Sequence, residues 1–183
     1  MKKQNKNKKR KLQIAVIGSA ARSEYGARGG ASFAMEKVAE EVGFLLASRD
    51  ATVVTGGKGG IMEAAARGAK KAGGMTVGIV KGNRRSVSNI YTDIEVLTGM
   101  EADGMDELFL VLMSDALIVL GGGAGTLQEI VIAYRNKKPI VVLEGMNGWG
   151  EKLAGKFVDE RQSVRIVSAK TPQDAVKKAC ALA

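Results

Sequence analysis

The sequence predicts a single doubly wound α/β domain with a mostly parallel sheet of about seven strands. Short β-rich runs alternate with segments of helical period, several runs are apolar on both faces, and glycine clusters stand at two of the strand-to-helix joints. With 183 residues, 45% of them hydrophobic, the chain can bury one sizeable core and is too short for two.

In chain order, Leu12–Gly18 (LQIAVIG) reads as the first strand. From Met35 the apolar residues Met35, Val38, Ala39, Val42, Leu45 and Leu46 recur on one helix face, with Glu36, Glu40 and Glu41 on the other. Ala51–Thr55 is a strand, Ile61–Ala72 a helix and Met75–Val80 a strand. The polar stretch Lys81–Asp93 is a loop before a strand at Ile94–Thr98. Asp103–Ser114 is a helix apolar nearly all round, since Leu110, Val111 and Met113 join the face made by Met105, Leu108, Phe109 and Leu112. Such a helix is buried on both sides, in a subunit interface or in a deep core. Ala116–Leu120 (ALIVL) is a fully apolar strand, Thr126–Asn136 a helix, Pro139–Leu143 a strand and Val164–Val167 the last strand. Thr171 then caps a terminal helix with Pro172 at its first position and Asp174 in its first turn.

Lys and Arg number 28 against 19 Asp and Glu, a formal charge of +9. Residues 1–11, MKKQNKNKKRK, hold seven of those cations and no acid, which leaves 21 cations against 19 acids in the rest. The basicity therefore belongs to a disordered tail over 1–11, and residues 12–183 form a nearly neutral domain. The lone Cys180 rules out an internal disulfide and fits a cytoplasmic location, while the absence of histidine removes zinc-hydrolase and Ser-His chemistry. No metal site is expected and no cofactor is required. No apolar run approaches a membrane span, and Leu12–Ile17 is too short for a signal-peptide core.

Ligands of doubly wound sheets bind beyond the carboxyl ends of the strands. Two strand-to-helix loops there share the pattern GG-x-G-x-x-x-E: Gly56-Gly57-Lys58-Gly59-Gly60 running to Glu63, and Gly122-Gly123-Ala124-Gly125-Thr126 running to Glu129, the second preceded by Gly121. Glycines let an anion approach main-chain N–H groups, and a helix N-terminus adds unpaired donors. Each loop is also readable as a tight connection and nothing more. Neither is a Walker A loop, because Gly59 follows Lys58, and the second is not a dinucleotide fingerprint, because Thr126 takes the place of its third glycine. Lys58 is either a phosphate partner or a solvated lysine. Thr126 and Glu129 form either a capping box or, with Glu129 turned to the ligand, a carboxylate beside a sugar anomeric carbon. Spacing does not choose between these.

Thr55–Val80 together with Ser114–Glu129 (SDALIVLGGGAGTLQE) resembles the LOG-like, or "lysine decarboxylase-like", family, whose wider superfamily includes DprA. The likeness runs from Ile14 to about Leu143. Gly121, where cytokinin-activating LOG enzymes have a proline, makes the molybdenum cofactor carrier subfamily the nearest, and Gly18-Ser19 with Ser23-Glu24-Tyr25-Gly26 is similar to the DprA opening. The resemblance implies a Rossmann-like fold, a homodimer or homotetramer, and a phosphorylated nucleotide-like ligand. Gly18, Ser19, Gly56, Gly57, Lys58, Gly59, Gly121, Gly122, Gly123, Gly125 and Thr126 would bind it, and Glu129 would be the catalytic carboxylate of a nucleoside 5′-monophosphate phosphoribohydrolase. A carrier of molybdopterin or a nucleotide without turnover, and DprA-like nucleic-acid binding helped by the tail, are the alternatives it leaves open. No pyridoxal-phosphate lysine context supports decarboxylation. One departure stands out: aligned on Ser114-Asp115, Asp106-Glu107 occupy the positions of the family's Arg and its Lys or Asn. An acid there inverts the local charge, although both acids also suit a helix N-terminus. Arg22, Arg28, Arg84 and Arg85 are the candidates to replace the missing guanidinium.

Overall fold

The computed structural model describes residues 10–22 and 30–183. Seven strands, β1 (Gln13–Gly18), β2 (Thr52–Thr55), β3 (Thr76–Val80), β4 (Ile94–Leu97), β5 (Ala116–Leu120), β6 (Ile140–Leu143) and β7 (Val167–Ala169), form one sheet. Its order is β4-β3-β2-β1-β5-β6-β7 and every pairing is parallel. The six helices of the described residues are α1 (Phe33–Ala47), α2 (Ile61–Lys71), α3 (Met105–Met113), α4 (Ala124–Arg135), α5 (Gly148–Leu153) and α6 (Pro172–Leu182).

Alternation along the central strands divides the core in two. Ile14, Val16, Val53, Ile118 and Leu120 face one way and pack under α1, α2 and α6 through Ala39, Val42, Leu46, Ile61, Ala65 and Val176. Ala15, Ile17, Val54, Leu117 and Val119 face the other way, under α3 and α4, against Leu110, Val111, Ile130 and Ala133. β3, β5 and β6 are buried along their whole length, as strands covered on both faces must be. Helices α1 and α2 touch backbone to backbone. A Cβ on Gly43 would lie 1.9 Å from the Ala65 carbonyl oxygen, and one on Gly68 would lie 1.8 Å from that of Glu40.

Helix α6 begins as expected, with the Thr171 hydroxyl accepting from the Asp174 N–H at 3.2 Å. Three expectations are corrected. The last strand is Val167–Ala169, because Ile166 pairs instead with Gly155 and Lys156, while Val167 comes into register with Val141 of β6. Helix α4 starts at Ala124 on Gly123, two residues ahead of Thr126. And α3 is not a deep core helix, one of the two readings open to it: Leu110 and Val111 are buried, but Phe109 and Leu112 are 41% and 46% exposed in the single chain, because only one face reaches the sheet. Helix α5 has no apolar period of its own and was not expected. No helix among the described residues is long and apolar enough to cross a membrane. Residues 1–9 of the basic tail lie outside the described residues; Arg10 and Lys11 pair with Asp115 and Asp50.

The chain builds outward from β1 to β4 on one side and from β5 to β7 on the other. The order reverses between β1 and β5, so the crevice that this topology reserves for a ligand lies beyond Gly18 and Leu120.

Candidate functional site

At that crevice is a cavity of about 430 Å³. Its rim comes from the end of β1 (Gly18, Ser19), the first glycine loop (Gly56, Lys58) and the first turn of α4 (Gly123 to Thr126). Met62, Ile79 and Leu110 supply apolar surface, and Asp106, Glu107 and Glu129 complete the lining.

The α4 end presents a fixed turn followed by open backbone donors. The Ser19 hydroxyl accepts from the Gly122 N–H at 3.0 Å, and the carbonyls of Gly121 and Gly122 accept from Gly150 and Trp149 at the start of α5. Gly121 and Gly122 are thus committed to fixing the turn and do not line the cavity. Gly122 has φ 97°, and a Cβ there would fall 2.3 Å from the Thr126 side chain. What the turn presents is the next stretch of backbone. Among the described residues, the N–H groups of Ala124, Gly125 and Thr126 have no hydrogen-bond acceptor, and all three residues face the cavity. The Thr126 hydroxyl turns to the Gly18 carbonyl at 3.4 Å.

The first glycine loop divides its residues in the same way. Gly57 donates to the Thr55 hydroxyl at 3.1 Å and accepts from the Asn89 N–H at 2.7 Å, and neither it nor Gly59 lines the cavity. The Asn89 side chain also donates to the Lys58 carbonyl at 3.1 Å, tying the loop before β4 to the site. Nothing in the sequence pattern singled out Asn89. The Lys58 ammonium reaches into the cavity, 3.9 Å from Asp106.

Glu129 is no helix cap. Gly123 is the N-cap residue, and no side chain caps this end. The Glu129 side chain is nine-tenths buried, makes no hydrogen bond among the described residues and lines the cavity. Burial, then the neighbouring Glu107 and Asp106, push its pKa well above the usual glutamate range, against a smaller opposing pull from Lys58. Burial and then Asp106 also raise Glu107, whose Oε2 is buried without a partner among the described residues. The site therefore has a cationic end of backbone donors with Lys58, an apolar surface and a wall of three acids. No metal-holding group of acids, His or Cys occurs among the described residues.

No arginine of the described residues lines the cavity, and Arg22, Arg84 and Arg85 are exposed elsewhere. Arg28 and the motif Ser23-Glu24-Tyr25-Gly26 lie outside the described residues. Asp106 and Glu107, which the sequence left readable as ordinary helix-start acids, face the cavity together, and the register to Ser114-Asp115 was the signal that marked them.

A family model described as the SLOG cluster4 family matches residues 11–176. Cytokinin riboside 5′-monophosphate phosphoribohydrolase of Mycobacterium tuberculosis is 30% identical over 185 residues, covering 92% of this chain and 97% of that protein. The structure of the molybdenum cofactor binding protein from the phototrophic bacterium Rippkaea orientalis matches with a TM-score of 0.78 at 29% identity, covering 94% of this chain and 98% of that one. DNA processing protein A from Helicobacter pylori matches with a TM-score of 0.68 at 16% identity, over 93% of this chain and 80% of that one. At that identity the likeness is one of fold alone.

Proposed function

Since the chain belongs to the SLOG cluster4 family, we propose that it binds a nucleoside 5′-monophosphate in the cytoplasm and hydrolyses its N-glycosidic bond. The observation that carries this reading is Glu129: a buried carboxyl without a partner among the described residues, in the same cavity as three N–H groups at the start of α4 that are likewise free among those residues. The phosphate takes those N–H groups with Lys58 beside them. This directs the sugar toward the acidic wall.

The raised proton affinity of Glu129 supports its starting the reaction as an acid. The glycosidic C–N bond breaks with its electron pair leaving on the base nitrogen, which takes the Glu129 proton. Water adds to the anomeric carbon and returns a proton to the Glu129 carboxylate. The products are free base and ribose 5-phosphate, and the carboxylate stabilises the oxocarbenium-like transition state between the two steps. The relative from Mycobacterium tuberculosis, covered almost throughout, supports this chemistry.

A second reading is carriage without turnover, the ligand being a nucleotide or, as cargo, molybdenum cofactor. It is favoured by one observation: Asp106 and Glu107 stand where the LOG pattern has arginine and its neighbour. The likeness to the Rippkaea orientalis protein agrees with it. The test incubates pure protein with AMP, GMP, CMP and UMP and measures free base and ribose 5-phosphate. Hydrolysis predicts release that falls by about 10²-fold or more in Glu129→Ala. Release no greater than in that variant, with nucleotide or molybdopterin still raising Tm, gives carriage instead.

A further inference from the structure

The acidic wall has a geometry of its own. Asp106 is buried, and Glu107 Oε1 stands so close to the first turn of α4 that a Cβ on Gly125 would lie 3.4 Å from it. Glu107 Oε2 is buried without a partner, and neither acid makes a hydrogen bond to the rest of the fold among the described residues. Glu129, nine-tenths buried and equally without a partner among the described residues, faces the same space. Three acids at one point, with Lys58 at 3.9 Å from one of them, are poorly suited to hold a phosphate themselves. They are well suited to accept hydrogen bonds from neutral donors.

Position narrows the kind of donor. The wall abuts the turn that offers its N–H groups to the anion, so whatever the acids grip lies within about one sugar length of the phosphate. The 2′- and 3′-hydroxyls of a ribose lie within that reach of its own 5′-phosphate and are neutral donors. Resting on the monophosphate reading above, the geometry points to Asp106 and Glu107 as a clamp for the 2′- and 3′-hydroxyls of a ribose. A carboxylate accepting from a hydroxyl makes a short, charge-assisted bond, and two adjacent carboxylates match a vicinal diol. Glu129 then falls beside the neighbouring anomeric carbon, as its proposed role requires. The ligand class is a ribose 5-phosphate derivative, selected against its deoxy counterpart.

The test measures Kd of the full chain, in EDTA, for inorganic phosphate, ribose 5-phosphate, 2-deoxyribose 5-phosphate, AMP and 2′-deoxy-AMP. Each ribo compound is expected to bind about tenfold or more tightly than its deoxy partner, because a site built around a hydroxyl rejects the analogue lacking it. In Asp106→Ala and Glu107→Ala that ratio is expected to fall toward one while phosphate affinity holds or rises. Tm of both variants checks that they fold, as the lack of hydrogen bonds from these side chains to the rest of the fold predicts. Equal affinity for ribo and deoxy compounds, or a ribo preference surviving in both variants, overturns the diol clamp and leaves the phosphate site standing. If inorganic phosphate and every phosphorylated probe fail to bind, the phosphate site falls and the clamp with it.

Discussion

A carboxyl that is buried, has no hydrogen bond and faces two other acids keeps its proton past the pH at which a free glutamate releases it. For Glu129 this links site and stability. Below the ordinary glutamate range the side chain is protonated in both folded and unfolded chains and costs nothing. As pH rises through that range the unfolded chain deprotonates first, so stability falls until the folded carboxyl also ionises and the penalty becomes constant. Glu129→Gln removes the titration while keeping the shape. Its Tm is expected to equal that of the wild type in acid and to exceed it at neutral and alkaline pH; a Tm difference independent of pH would contradict the burial argument. At this scale the sequence was informative but undecided. T-x-x-E fits a cap and a catalytic carboxylate equally well, and only the start of α4 at Ala124 separates them. Asp106 and Glu107 were visible as a departure from a pattern, but their approach to Glu129 depends on how α3 lies against α4, which spacing along the chain does not encode.

At the scale of elements, the proposed anion site depends on the turn between β5 and α4. Gly122 has φ 97° and no room for a Cβ beside Thr126, so Gly122→Ala must strain the turn or push α4 away. The expected cost is about 1–3 kcal/mol, read by denaturant unfolding, together with loss of the Tm increase that phosphate ligands give. An unchanged ligand response would show that the turn does not set the site. The strands and long helices were legible because period and apolar runs mark them, and β5 matches its expected span. The glycine loops were legible as loops, but not the division of labour within them. Gly57, Gly121 and Gly122 hold neighbouring backbone while Gly56, Gly123 and Gly125 meet the cavity, a distinction made by Ser19, Asn89 and α5. The close approach of α1 and α2 at Gly43 and Gly68 was likewise invisible to hydrophobic period, which counts glycine as neither face.

For the whole molecule, the order β4-β3-β2-β1-β5-β6-β7 puts its reversal at the two loops that sequence marks with glycine and serine. The topology and the proposed site thus point to the same crevice. Helix α3 turns Phe109 and Leu112 outward from the acidic wall's own helix, and we propose that this face joins copies of the chain in a homo-oligomer. Light scattering is expected to give a dimer or larger species that Phe109→Asp with Leu112→Asp dissociates; a monomeric wild type would contradict it. The charge of +9 bears on the tail, to which we assign any loose contact with nucleic acid, rather than on the cavity. In the proposed site, backbone dipoles and one lysine would provide the attraction for anions. The proposed function requires that a ligand's phosphate sit on the first turn of α4 with its sugar toward Glu129. A crystal structure of Glu129→Gln with AMP tests it most directly. Phosphate oxygens are expected about 2.7–3.2 Å from the N–H nitrogens of Ala124, Gly125 and Thr126, with the anomeric carbon beside residue 129. Phosphate bound elsewhere, or a sugar turned away from the acidic wall, would contradict it.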